Sequence, residues 1–412
     1  MSTTAETSPA PAGGTTPVHP FALAVLLAAS TLTVMATAVV SPVIAVIRDD
    51  LGLSGTAAGL LLTAHCLVIA VASPFAGALI DRHGVRRPLA AGLVLYGLAG
   101  GAGLFTDSYA TLLVSRVLFG LGAALVFTGG TVGLLNLYRG ARQDQVMGWR
   151  TSATATGALT WPLLGGALGT LSWHAPFGVY LLGVGVGVAA LRALPDDRPE
   201  RPPAAGTRAA LGVIRRTPAM LGYYGLFVSS SVLLYALVVF LPLRFDELGV
   251  TDTFHVAVLG LGLSVTMIAT GFAYARIRTR LGHRGVLRVT YATWTVSFLL
   301  LAGTDHVVFV VAASTLFGVG MGMSLPALTV LLGEASPPHL RGALTALSGT
   351  ALFLGQFGSP LLLGPVADRT SLTTGFLGAA GLAGAILLAL STAQEPRSAT
   401  PSSSSQAAST AG

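Results

Sequence analysis

A chain of 412 residues with 53% hydrophobic residues, 9% charged residues and a mean hydropathy of +0.75 is too apolar for a soluble domain, which averages about 25% charged residues. The same balance excludes a disordered chain, and a lone cysteine, Cys66, excludes a disulfide scaffold. The net charge of +7 comes from 23 arginines with no lysine, which fall between long apolar runs rather than on one solvated face, so nucleic acid is not a partner.

Residues 1–19 (MSTTAETSPAPAGGTTPVH) are expected to form a disordered tail. A bilayer core about 30 Å thick needs roughly 20 apolar residues in helical form. Twelve such stretches follow, at approximately 21–47, 57–80, 89–106, 109–137, 147–171, 176–194, 219–243, 254–275, 286–303, 307–332, 342–366 and 373–392. None shows the alternation of a barrel strand, and the first is too long and too poor in preceding positive charge for a cleaved signal peptide. The expected fold class is an all-α membrane protein with twelve transmembrane helices. Residues 195–217 form the longest charged loop. This divides the chain into an N-terminal six-helix bundle (20–194), a cytoplasmic linker (195–217), a C-terminal six-helix bundle (218–392) and a second disordered tail (393–412). With both termini cytoplasmic, nineteen of the 23 arginines fall on the cytoplasmic side, as short cytoplasmic loops require. Arg48, Arg244 and Arg369 lie outside, and Arg116 lies within the fourth span.

A shift of 198 residues aligns Arg82, Gly84 and Arg86 with Arg280, Gly282 and Arg284, and Leu118, Phe119, Gly120 and Gly122 with Leu316, Phe317, Gly318 and Gly320. It also aligns Gly157, Pro162 and Gly166 with Gly355, Pro360 and Gly364. One offset across six helices points to two parallel six-helix pseudo-repeats, an architecture of transporters with the substrate near the midplane between the halves.

Between the second and third spans the chain reads GALIDRHGVRR. Gly77 lets the helix end approach a neighbour, Asp81 can face a helix N-terminus or an arginine, Gly84 allows a tight turn, and Arg82, Arg86 and Arg87 stay at the surface. The string resembles motif A of the major facilitator superfamily, G-x-L-x-D-R-x-G-x-R-R, at every fixed position. The resemblance implies that Asp81 belongs to a charge relay latching the halves in one state; the alternative is a basic loop that only sets topology. The fourth span, RVLFGLGAALVF from Arg116, resembles motif B with Phe119 in place of glutamine. That implies proton coupling for Arg116, against an arginine neutralised by neighbouring carbonyls. In GALTWPLLGGALG of the fifth span, Pro162 frees a carbonyl and kinks the helix, while Gly157, Gly165 and Gly169 form a small face. The string, with Gly166, is similar to motif C of the superfamily's drug-efflux antiporters, with Trp161 at a glycine position. Here the alternative is a proline-kinked packing helix.

Every acidic residue falls in a tail, a loop or at a helix end. A cavity without a carboxylate loses its attraction for cationic drugs, which favours neutral or anionic substrates. His65, the one histidine well inside a span, titrates near neutral pH and is a coupling candidate beside Arg116; the alternative is a hydrogen-bonded packing residue. By resemblance, helices one, four, seven and ten line the cavity, which makes Thr37, Asn136, Tyr223, Tyr224, Tyr235, Met321, Met323 and Gln356 substrate candidates. Core or lipid-facing packing is the alternative for each. The expected protein is a monomeric exporter of drug-like or secondary-metabolite small molecules in a bacterial cell membrane, working by proton antiport with alternating access. The other transport reading is an uptake symporter for a small metabolite, anionic ones included. No enzyme motif, metal cluster or cofactor site stands out: H-E-x-x-H, G-x-S-x-G and the P-loop are all missing from the sequence.

Overall fold

The computed structural model describes residues 20–196 and 207–392; the tails expected at 1–19 and 393–412, and 197–206 of the linker, lie outside the described residues. In lipid every backbone N–H and C=O must be satisfied within its own segment, so apolar runs become helices. Nine helical stretches among the described residues are long and apolar enough to cross a bilayer. One of them, Thr253–Gly303, is two helices joined at Gly282. Arg86–Gly100 and Gly140–Gly169 bring the number among the described residues to twelve. The latter is weakly apolar, yet Thr151, Ser152, Thr154, Thr156 and Thr160 each return a hydroxyl bond to the carbonyl four residues back, so its polar groups are satisfied locally.

In chain order the helices are α1 (Pro20–Asp50, bent at a turn over Ser41–Val43), α2 (Gly55–His83), α3 (Arg86–Gly100), α4 (Tyr109–Leu137), α5 (Gly140–Gly169) and α6 (Ala175–Ala193). Then follow α7 (Pro218–Glu247), α8 (253–281), α9 (283–303), α10 (Val307–Ala335), α11 (Arg341–Arg369) and α12 (Leu372–Thr392). Within the linker, where the charge and prolines suggest a loop, Thr207–Arg216 is a helix. Its Ala210 and Ile214, one turn apart on one face, are buried with Met220 and Leu344 of the C-terminal half.

The 198-residue shift holds for the backbone. Helices α4 and α10 begin and end 198 residues apart, and Gly84 (φ 77°) and Gly282 (φ 66°) make the same left-handed turn after α2 and α8, which glycine adopts without a Cβ penalty. Two equivalent pairs touch each other: Thr37 Oγ1 lies 3.3 Å from Tyr235 Oη, and the Arg48 guanidinium 2.9 Å from the Asp246 carboxylate. Residues exchanged by a two-fold axis can meet only beside it, so the axis between the halves runs along the α1–α7 contact.

An even number of spans places both ends of the described chain on one face. On the far face the halves are pressed together. Gly364 packs on Thr56, Gly59 on Pro360, and Gly166 on Thr253 and Ala257. The Asp368 carboxylate accepts from the Gly55 and Thr56 backbone N–H groups at 2.8 and 3.1 Å. Asp252 caps α8 there, and the bond donated by the His255 backbone N–H holds its carboxyl below the usual range. Toward the chain-end face, cross-half contacts include Cys66 with Gln356 and the rings of Phe127 and Phe353 at 5.5 Å. At that face a Cβ on Gly77 would meet nothing within 4 Å, and Asp81 is exposed. The molecule is sealed at the far face and parted at the chain-end face.

Candidate functional site

A cavity of about 220 Å³ lies beside the axis between α1, α5, α7 and α8. Thr37 and Ser41 of α1, Ala158 and Pro162 of α5, Leu234, Tyr235, Val238 and Pro242 of α7, and Gly260, Ser264 and Met267 of α8 are among its walls. Two prolines shape it by the same device. Proline has no N–H to donate, so the carbonyl four residues earlier loses its helical partner. Pro162 frees the Ala158 carbonyl, which accepts from Ser264 Oγ of the other half at 3.4 Å. Pro242 frees the Val238 carbonyl, which accepts from Ser41 Oγ of the other half at 3.0 Å. The kinks in α5 and α7 thus provide acceptors for bonds that tie the halves beside the cavity.

Behind this wall is a buried polar cluster. The Cys66 thiol donates to Gln356 Oε1 at 3.2 Å, His65 Nε2 lies 3.6 Å from the same sulfur, and the Tyr235 hydroxyl lies nearby. His65 Nδ1 is buried without a hydrogen-bond partner, and its ring stands edge-on to Phe119 at 5.3 Å. The fold therefore brings Thr37, His65, Tyr235 and Gln356 together from α1, α2, α7 and α11.

Other sequence candidates lie elsewhere. Arg116 is 2% exposed and points into the N-terminal half. Its guanidinium donates to the Gly100 carbonyl at 2.9 Å and lies about 5 Å from the ring centroids of Phe119, Phe177 and Tyr180. A carbonyl and three aromatic faces compensate the buried charge here, with no carboxylate. Arg116→Lys keeps a cation but loses the planar stack, and a melting curve of the purified protein is expected to show a loss of about 1–2 kcal/mol. The Tyr224 hydroxyl donates to the Leu344 carbonyl at 2.6 Å, and Met321 and Met323 are buried in the apolar core. Tyr223 and Asn136 are half-buried, and neither they nor these three line the cavity.

Trp161 donates its indole N–H to the Thr31 carbonyl of α1 at 3.0 Å, and a Cβ on Gly157 would press against that indole. Gly165 packs on the Val39 carbonyl within the N-terminal half, whereas Gly166 faces α8 across the seam. In the α2–α3 turn, Arg87 pairs with Asp196 at 3.0 Å and Arg86 lies 4.0 Å from it, while Arg82 and Asp81 are exposed. The close approach expected of Gly77 is absent in this state: a Cβ there would meet nothing within 4 Å. Ser41, Pro242 and Ser264 were not among the sequence candidates for the cavity. Pro242 within an apolar span, with Val238 one turn before it, was the available signal.

Twelve helices in two repeats, with a cavity between the halves, have the architecture of a secondary carrier. The family model of the Major Facilitator Superfamily matches residues 26–360 and 250–411. The chain belongs to the Major Facilitator Superfamily, a family of transporters. It is 27% identical over 357 residues to the multidrug efflux protein YfmO of Bacillus subtilis, covering 84% of this chain and 86% of that one. It is 23% identical over 351 residues to multidrug resistance protein 1 of the same organism, covering 84% and 90%. The quinolone resistance protein NorA of Staphylococcus aureus is 30% identical over 138 residues, covering 34% of this chain and 36% of NorA. Among solved structures, a point mutant of the nucleoside transporter NupG superposes with a TM-score of 0.78 at 12% identity, covering 90% of this chain and 99% of that one. A bacterial homologue of the lysosomal transporter Spinster, inward-facing and unoccupied, gives 0.74 at 15% identity over 92% and 96%. These structures share the fold.

Proposed function

We propose that this carrier exports drug-like or secondary-metabolite small molecules across a bacterial cell membrane, with both termini cytoplasmic, as a monomer driven by proton antiport. Transport by alternating access is supported by a cavity between the two halves, whose far-face seams are packed at Gly59, Gly166 and Gly364 while a Cβ on Gly77 at the chain-end face would meet nothing within 4 Å. Export of drug-like molecules is supported by the likeness, over 84% of the chain, to two proteins named for multidrug efflux and resistance. With the termini inside, the described state opens to the cytoplasm, where an exporter loads.

A strain lacking its own pumps is expected to grow at raised concentrations of some members of a panel of toxic compounds when it carries this chain. In inside-out vesicles an acid interior should then drive accumulation of those compounds, and a protonophore should abolish it. No gain in resistance across the panel, or accumulation that an acid interior does not drive, overturns export by antiport. For the proton route, His65 is the group proposed, because it is buried within the cluster that joins the halves. His65→Ala is expected to abolish pH-driven accumulation with expression intact; undiminished accumulation excludes it.

A further inference from the structure

We propose that the cavity beside the axis selects uncharged, largely apolar molecules carrying one or two hydrogen-bonding groups and excludes organic cations and anions alike, an inference that rests on reading the chain as an exporter. The polar groups in its wall are the hydroxyls of Thr37, Ser41, Tyr235 and Ser264; among the described residues no Asp, Glu, Arg or His lines it. Each arginine buried within the described halves is already committed elsewhere or distant. Arg116 is enclosed by Phe119, Phe177, Tyr180 and the Gly100 carbonyl, and Arg244 is held by Glu247 and Asp305 at 2.8 and 2.6 Å. Arg150 lies eight residues before Ala158 on α5, about 12 Å along the helix.

An ion entering this wall gives up its hydration and finds no opposite charge, so entry is heavily penalised for either sign. A neutral molecule meets no such barrier. Its apolar body replaces water against Leu234, Met267 and Pro162, and the 3.3 Å contact between Thr37 and Tyr235, longer than a normal hydroxyl bond, is readily given up to a guest. The volume of about 220 Å³ exceeds the roughly 150 Å³ that holds one benzene ring. It suits a substituted or fused aromatic body.

The test uses the full chain in lipid nanodiscs and three probes that share a naphthyl body and carry a neutral, a cationic or an anionic head group: 2-(2-naphthyl)ethanol, 2-(2-naphthyl)ethylammonium and 3-(2-naphthyl)propanoate, with 2-(3,3-dimethylbutyl)naphthalene and 2-(2-naphthyl)ethyl-trimethylammonium as a neutral and charged pair of equal size. Saturable binding of the alcohol is expected, with the ammonium and the carboxylate weaker by at least about tenfold. Thr37→Asp adds a carboxylate to the wall and is expected to gain ammonium binding, a result that misfolding cannot produce. Equal or tighter binding of either ion by the unaltered chain, or no saturable binding of the alcohol, overturns the proposal. Selective alcohol binding in a chain that confers no resistance supports this cavity chemistry while rejecting export.

Discussion

Gly166→Leu is expected to abolish transport while both bundles remain folded. An ideal Cβ at Gly166 lies 2.6 Å from the Thr253 carbonyl oxygen and 2.7 Å from the Ala257 Cβ, and the Gly166 carbonyl accepts from Thr253 Oγ1 at 2.7 Å. Neither obstructing atom sits on a side chain that can rotate away. Gly166 is in α5 and both obstacles are in α8, so the strain is relieved by moving one half from the other, which opens the far face. Overpacking by a whole leucine side chain costs about 3 kcal/mol or more, enough to deplete the far-closed state roughly 100-fold. Spin labels at Thr170 and Thr251, exposed at the far ends of α5 and α8, should report a longer distance, and vesicle uptake should fall to background. Gly165 provides the control. It faces the Val39 carbonyl of α1 inside the same half, so Gly165→Leu should lower yield and melting temperature instead. An unchanged 170–251 distance with normal uptake in Gly166→Leu would show that the seam accommodates the leucine and that close packing at Gly166 does not govern the far face.

These neighbouring glycines show how far the sequence was legible. Bilayer thickness imposes the lengths of the apolar runs, charge placement imposes their direction, and a 198-residue repeat is visible because Gly84 and Gly282 are needed for the same left-handed turn. Helix number and repeat therefore follow from local constraints. The facing of a polar residue does not, because serine and threonine can satisfy themselves on their own helix. Thr31 and Thr33 bond the carbonyls of Ala28 and Ser30, whereas Ser41, a few residues later in α1, crosses to Val238 of the other half. The difference depends on Pro242, about 200 residues away in the chain. Arg116 is similar: its charge showed that it needs partners, but Gly100, Phe177 and Tyr180 become its partners only once α3, α4 and α6 pack. The linker helix was hidden for another reason, since the buried positions Ala210 and Ile214 are too few to stand out among the surrounding arginines and prolines.

Asp368→Ala should shift the balance between the two faces by roughly tenfold without unfolding the protein. Helices α2 and α11 run antiparallel along one seam, and each has an aspartate at its last turn: Asp81 at the chain-end face and Asp368 at the far face. Here only the far-face aspartate is engaged. It accepts two backbone N–H bonds and one from Thr56 Oγ1 at the N-terminus of α2, where unsatisfied donors and the helix dipole favour an anion. Charge-assisted bonds are worth about 1.5–3 kcal/mol when buried, but Asp368 is exposed, so the tie is closer to about 1–2 kcal/mol after screening. Because it exists only while the far face is closed, its loss acts on the conformational equilibrium rather than on folding. A label pair on Ser54 and Thr370 should show a more populated long-distance component in Asp368→Ala and a smaller gain in Asp368→Asn, which keeps one acceptor. Raised salt should move the unaltered protein in the same direction, since a surface charge tie is screened. If the distance distribution is the same in all three proteins, the apolar seam of Gly59, Pro360 and Gly364 alone holds the far face shut, and Asp368 merely caps α2.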